Sequence, residues 1–193
     1  MTEMKVDNPK DLLLLLLYSP GQTRNVNEKI VGRTRLMKLM YLFYEELADH
    51  IRFSRGVDQS TYHTFRPFHF GPFSKEVYDD IQFLENINFV KEDSGEELSI
   101  AEFAEARLFY DEALVERLEL DEAETYYLEP VFNLKEEGLK FTEKLYATLI
   151  DSDKKRLAEF KKTYNSLPLA TLLRYVYSKY PESAVESKIR DAL

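Results

Sequence analysis

Val131-Phe132-Asn133-Leu134-Lys135-Glu136-Glu137-Gly138-Leu139 passes from β-forming residues to helix-forming residues with no turn chemistry between them. Asn133, followed three residues later by Glu136, has the form of a capping box, so the spacing predicts a strand running straight into a helix over about Leu134 to Leu149. The strand draws on a dense β-forming run that starts at Tyr126, and its best upstream partner is Phe89-Val90. Together these predict a two-stranded wing.

Upstream, the chain reads as three helices. Residues 9 to 18 form a helix with Pro9 in its first turn and a stop at Ser19-Pro20-Gly21, and its six consecutive leucines predict burial all round. Gln22 to Val31 reads as a polar, basic surface loop. The second helix has Thr34 as its expected cap and Leu36, Leu39, Met40, Phe43 and Leu47 on one buried stripe, which leaves Arg33, Arg35 and Lys38 toward solvent. Residues 61 to 70 suit an extended segment ending at Gly71-Pro72, and a third helix follows from Ser74 with Val77, Ile81 and Leu84 inward. Downstream, Ser152 is an expected cap for a helix carrying Leu157, Phe160 and Tyr164. Pro168 suits N1 of another helix, with Leu169, Leu172, Leu173, Val176, Tyr177 and Tyr180 on its stripe, and a short terminal helix is expected from Ser183.

The order helix, helix, helix, strand, strand, helix is that of a winged helix. The expected class is therefore mainly α (α+β) in a single domain. A winged-helix-like core spans 1–90 and 126–150, an acidic insertion (91–125) lengthens the wing, and helices continue through 151–193. The link between the second and third helices, about 49 to 73, is far longer than the 3 to 4 residues of a helix-turn-helix.

Charge is uneven along the chain. The net of −9 is concentrated in residues 91 to 129, which carry 14 acidic residues against 3 basic ones. Ser99 with Glu102 has the capping-box form, so a helix is expected there with Phe103 and Leu108 inward. The absence of cysteine removes disulfide and thiolate chemistry and agrees with a reducing compartment, so the cytoplasm is the expected location. The leucine run is far short of the roughly 20 residues that cross a bilayer, and acidic residues before it argue against a signal peptide. No membrane association is expected.

Thr34-Arg35-Leu36-Met37-Lys38-Leu39-Met40-Tyr41 and Phe70-Gly71-Pro72-Phe73-Ser74-Lys75-Glu76-Val77-Tyr78 resemble the Panacea (SocA-like) antitoxin and phage-associated protein families, over about residues 10 to 90. The resemblance implies a non-enzymatic protein encoded in mobile or defence-related settings that binds a toxin or other partner protein, with DNA as a further candidate partner. The chain departs from the pattern in lacking tryptophan and in its acidic insertion and helical C-terminal third.

Two functional readings follow. For nucleic acid, Arg24, Lys29, Arg33, Arg35 and Lys38 form a basic cluster, with Lys75, Arg52, Arg55 and Arg66 as possible neighbours in space. Its phosphate contacts would weaken steeply with salt, and a homodimer would concentrate them. Asp79, Asp80 and Glu85 on the third helix argue against base reading. For a protein partner, the candidates are Tyr62, Phe65, Arg66, Phe68, Phe70 and Phe73. Their rings fall on both parities of an extended segment, so both faces must be covered, by the core or by another chain. Tyr175, Tyr177 and Tyr180 beside Arg174 and Lys179 suit either helix packing or an interface. An acidic arm at 91 to 129 would also suit mimicry of DNA charge or the covering of a basic partner surface. His63 and His69 would lie about 20 Å apart along a strand, too far to share a metal. No phosphate loop or nucleophile elbow occurs, so no catalytic, cofactor or metal residue is assigned.

Overall fold

The computed structural model describes residues 5–51, 57–96 and 129–190. Among these lie six α-helices and one small antiparallel sheet: α1 Pro9–Tyr18, β1 Ile30–Val31, α2 Arg33–Leu42, α3 Lys75–Asn86, β2 Val90–Glu96, β3 Glu129–Leu134, α4 Glu136–Ala147, α5 Asp151–Asn165 and α6 Leu169–Lys179. The expected helix from Ser99, the start of the return strand at Tyr126, and Arg52 and Arg55 lie outside the described residues. No described helix is long and apolar enough to cross a membrane.

Helix α1 is the spine. Asn8 caps it by accepting from the Asp11 amide at 3.2 Å, Pro9 occupies the first turn, and Leu12 to Leu17 are all buried. It packs on α4 and β3, while α2 packs on α5 and α6. The buried residues of all six helices form one cluster, edged by the ring pairs Tyr18–Tyr146 at 5.1 Å and Phe43–Phe160 at 6.1 Å. Mutual burial of apolar surface supplies most of the driving force.

The sheet has the order β1-β3-β2, both pairs antiparallel. β1 corrects the reading of residues 22 to 31 as loop throughout: Ile30 pairs with Phe132 and Val31 with Val131. Two residues are too few for alternation to show. The approach to β1 is built by side chains acting as backbone. Asn27, at φ 58°, both donates to the Leu134 carbonyl (3.1 Å) and accepts from its amide (2.8 Å). Glu28 closes the preceding loop by accepting from the Gln22 amide and from Thr23.

Several expected helix starts shift. The capping box at Asn133 does not form, because Asn133 lies within β3 opposite Lys91 and strand pairing continues through Leu134; α4 starts at Glu136 with Lys135 at the cap. The α2 cap is Gly32 at φ 93°, not Thr34, since the chain leaves β1 through a conformation only glycine adopts without strain. Ile150 precedes α5 in place of Ser152, Pro168 is the cap of α6 and not its first residue, and the terminal helix is a 3₁₀ turn, Pro181–Ala184.

The helical path of α2 runs on through a π turn, Phe43–Leu47, and a 3₁₀ turn, Ala48–His50. The expected stripe from Leu36 to Leu47 is buried throughout. The segment expected to be extended over 61 to 70 reverses in a tight hairpin: Arg66 bridges Phe73, and Phe68 and Gly71 exchange backbone hydrogen bonds at 2.9 and 3.1 Å.

Candidate functional site

The π turn, the segment from Tyr62 to Pro72 and the 3₁₀ turn after α6 enclose a cleft of about 320 Å³. An extra residue in a helical turn re-aims the side chains that follow, and such turns concentrate at functional sites. Here Tyr44 and Glu45 face the cleft while Glu46 faces α5 and α6.

Rings form the walls. Tyr41 lies edge-on to Phe65 and Tyr180, each at 5.3 Å, and Tyr44 lies 4.7 Å from Tyr62 and 6.1 Å from Phe65. A hydrogen-bonded chain through four elements holds Tyr44: its hydroxyl meets His63 Nδ1 at 2.7 Å, His63 Nε2 meets Asp80 at 2.9 Å, and Lys10 pairs with Asp80 at 3.0 Å. Burial acts to raise the Asp80 carboxyl, but the bonds from His63 and Lys10 outweigh it and hold it low. An ionised Asp80 only accepts, so Nε2 donates to it. Burial pushes the Tyr44 phenol far up, so it stays protonated and serves to fix a ring.

The rim is acidic. Glu45 and Glu182 both line the cleft, and neither has a hydrogen-bond or ion-pair partner among the described residues. Burial raises the Glu45 carboxyl, and Glu182 and Glu46 raise it further. Burial, Glu45 and Glu182 together push Tyr41 up to about 12. Arg66 also lines the cleft, with its guanidinium over the rings of Phe68 (5.8 Å) and Phe73 (6.0 Å).

The protein matches no family model, no curated protein and no solved structure.

Of the partner-binding candidates, Tyr62, Phe65 and Arg66 reach the cleft, Phe70 and Phe73 pack against the core, and Phe68 remains exposed. Most of these rings are therefore covered from within the chain. The basic candidates are dispersed. Lys38 is buried, not solvent-facing, and its Nζ donates to the Pro72 carbonyl at 2.9 Å, because the hairpin folds back over α2. Arg35 also turns inward and donates to the carbonyls of Val31, Asn165 and Leu167. Arg33 pairs with Glu92 and Lys75 with Asp79. Arg24 and Lys29 sit exposed on the loop that Glu28 closes. Among the described residues, no group of three histidine or carboxylate side chains gathers to hold a metal ion.

Behind the cleft, Glu46 ties the π turn to the C-terminal helices by accepting from Tyr164 (2.5 Å), Tyr175 (2.9 Å) and Tyr180 (3.1 Å) and pairing with Lys179 (3.1 Å). Burial acts to raise its carboxyl, and these bonds together lower it. Glu46→Ala is expected to destabilise the fold at pH 7 by about 2 kcal/mol, as for loss of charge-assisted hydrogen bonds. Because the folded pKa is depressed, this contribution is present above the unfolded value of 4.5 and disappears as pH falls through the folded value. Urea unfolding at neutral and acid pH checks both; an equal difference at the two would refute the assignment.

Proposed function

We propose that this is a non-enzymatic protein-interaction module with a winged-helix-like core, antitoxin-like in kind, that binds a partner protein at the aromatic cleft. The observation that carries this reading is the cleft itself: ring walls held by the Tyr44–His63–Asp80 chain, under two carboxylates without a partner among the described residues. Rigid aromatic surface is what protein interfaces use as anchors. The winged-helix reading is supported by the element order α1-β1-α2-α3-β2-β3 and by β1 pairing with β3.

That same order favours a second reading, a DNA-binding regulator. Against it stand Glu76, Asp79, Asp80 and Glu85 on α3, and the internal bonds of Lys38 and Arg35. Two measurements on the full chain separate the readings. Selection of displayed random peptides is expected to enrich binders that lose affinity for Tyr62→Ala and Phe65→Ala. Fluorescence anisotropy with generic duplex DNA at low salt is expected to show no binding. Failure to enrich, or binders indifferent to both substitutions, would overturn the partner reading. Micromolar, steeply salt-dependent DNA binding lost on Arg33→Glu would put the regulator in its place.

A further inference from the structure

We infer that the cleft is a receptor for one cationic side chain, an arginine or lysine of the partner, which enters between Tyr41, Tyr62 and Phe65 and is met by Glu45 and Glu182. This rests on the partner-binding reading and specifies its chemistry.

Shape, charge and surroundings all favour a cation. The volume of about 320 Å³ lies at the low end of the range of ligand pockets, suited to one side chain. Ring faces carry negative charge density and attract a cation placed over them. The rings are not free to collapse together: Tyr41 is wedged against Phe65 and Tyr180, and Tyr44 is held by His63. Glu182 helps burial to raise the Glu45 carboxyl, and the chain supplies neither residue with a countercharge among the described residues. An incoming guanidinium or ammonium would relieve that repulsion and gain charge-assisted hydrogen bonds. Neighbouring carboxylates elsewhere are already neutralised. Glu46 has Lys179 and Asp80 has Lys10. Among the described residues, the cation on the cleft wall is Arg66, and it is drawn over Phe68 and Phe73. An anionic or purely apolar occupant would leave the two carboxylates uncompensated.

Titration of the isotope-labelled full chain with Nα-acetyl-arginine amide and Nα-acetyl-lysine amide, read by NMR, tests this. Nα-acetyl-glutamine amide is the neutral control, and tetramethylammonium represents a free organic cation. At least one cationic amino-acid analogue is expected to give saturable millimolar shifts at Tyr41, Tyr62 and Phe65, with none from glutamine. Glu45→Gln with Glu182→Gln should weaken binding about tenfold per carboxylate removed. Both residues are exposed and both substitutions lessen repulsion, so the fold should hold; Glu182→Gln alone provides a second variant in a separate element. Absent shifts, equal shifts with glutamine, or unchanged affinity in the charge variants would overturn the inference. Tighter binding of tetramethylammonium than of either analogue would overturn the partner side chain as its source. If selected peptides bind at the cleft without needing a basic residue, this inference falls while the partner reading stands.

Discussion

Raising the pH from 7 to 9 is expected to stabilise the fold by about 4 kcal/mol, about 2 kcal/mol from each of two buried lysines. Lys38 is almost fully enclosed, and its ammonium donates to the Pro72 carbonyl. Lys161 is completely enclosed and donates to the carbonyls of Leu17 (2.8 Å) and Glu28 (2.6 Å). Burial pushes both from 10.5 down to about 7, with Glu28 acting weakly in the opposite sense at Lys161. A lysine whose folded pKa is depressed is charged in both states below about 7, where the full desolvation penalty applies. Between about 7 and 10.5 only the unfolded chain retains the proton, so stability rises with pH. The perturbed tyrosines act at higher pH: Tyr41 ionises at 10 when unfolded and about 12 when folded, so its contribution is lost only above about 10. Urea unfolding midpoints at pH 7, 8 and 9 should therefore climb, and Lys38→Met and Lys161→Met should each remove about half of the climb. A flat profile for the native chain would show that neither ammonium is enclosed as described.

The helical frame was legible in the sequence because its stripes are long and regular. The leucines of α1 are buried as expected, and so are the stripe of α2 and the inner face of α3. The antiparallel pairing of Val90 with Leu134 was expected, but β1 makes the sheet three-stranded where two strands were expected. Cap residues were less legible. Asn133 and Ser152 have the right chemistry for caps, but strand pairing through Leu134 and the extended backbone at Ile150 decide where helices begin. Sequence spacing carries no information about either.

The cleft was half legible. Tyr62, Phe65 and Arg66 stood out because an aromatic segment with rings on both parities needs cover. Tyr41, Tyr44 and Glu45 drew no notice, since they lie off the α2 stripe, yet tyrosines on the polar side of an amphipathic helix were a signal that something packs there. Glu182 is brought in from the far end of the chain by the turn after α6, and nothing local marks it. The basic cluster misled for a related reason. Helical periodicity puts Arg35 and Lys38 outside the stripe, but the hairpin at Pro72 and the α5–α6 junction cover that face and turn both side chains into donors for backbone carbonyls. Long cationic side chains satisfy stray carbonyls well, so a basic stripe on a helix marks a nucleic-acid surface only when no later segment folds over it.

Gly138→Ala is expected to destabilise the protein by about 2 kcal/mol, although alanine favours an exposed helix by about 1 kcal/mol over glycine. The residue is buried in the first turn of α4, where a Cβ would lie 2.1 Å from the Phe89 carbonyl oxygen and 2.8 Å from its carbon. That carbonyl cannot easily yield, because it accepts from the Lys135 amide at 2.9 Å at the point where the α3–β2 turn meets the β3–α4 junction. The obstacle is backbone and not a flexible side chain, so relief requires α4 to move away from the β2–β3 pair, and overpacking of this kind outweighs the gain in propensity. Gly138→Val should destabilise further. Amides of Val90 to Asp93 and Val131 to Leu134 should then exchange faster than those of α6, which packs on α2. Thr142, one turn later on the same buried face, has a hydroxyl without a hydrogen-bond partner among the described residues, so Thr142→Val should be neutral or stabilising and serves as the control. Urea unfolding combined with hydrogen exchange reads all three variants, and a Gly138→Ala protein as stable as the native chain would mean that α4 does not approach Phe89 this closely.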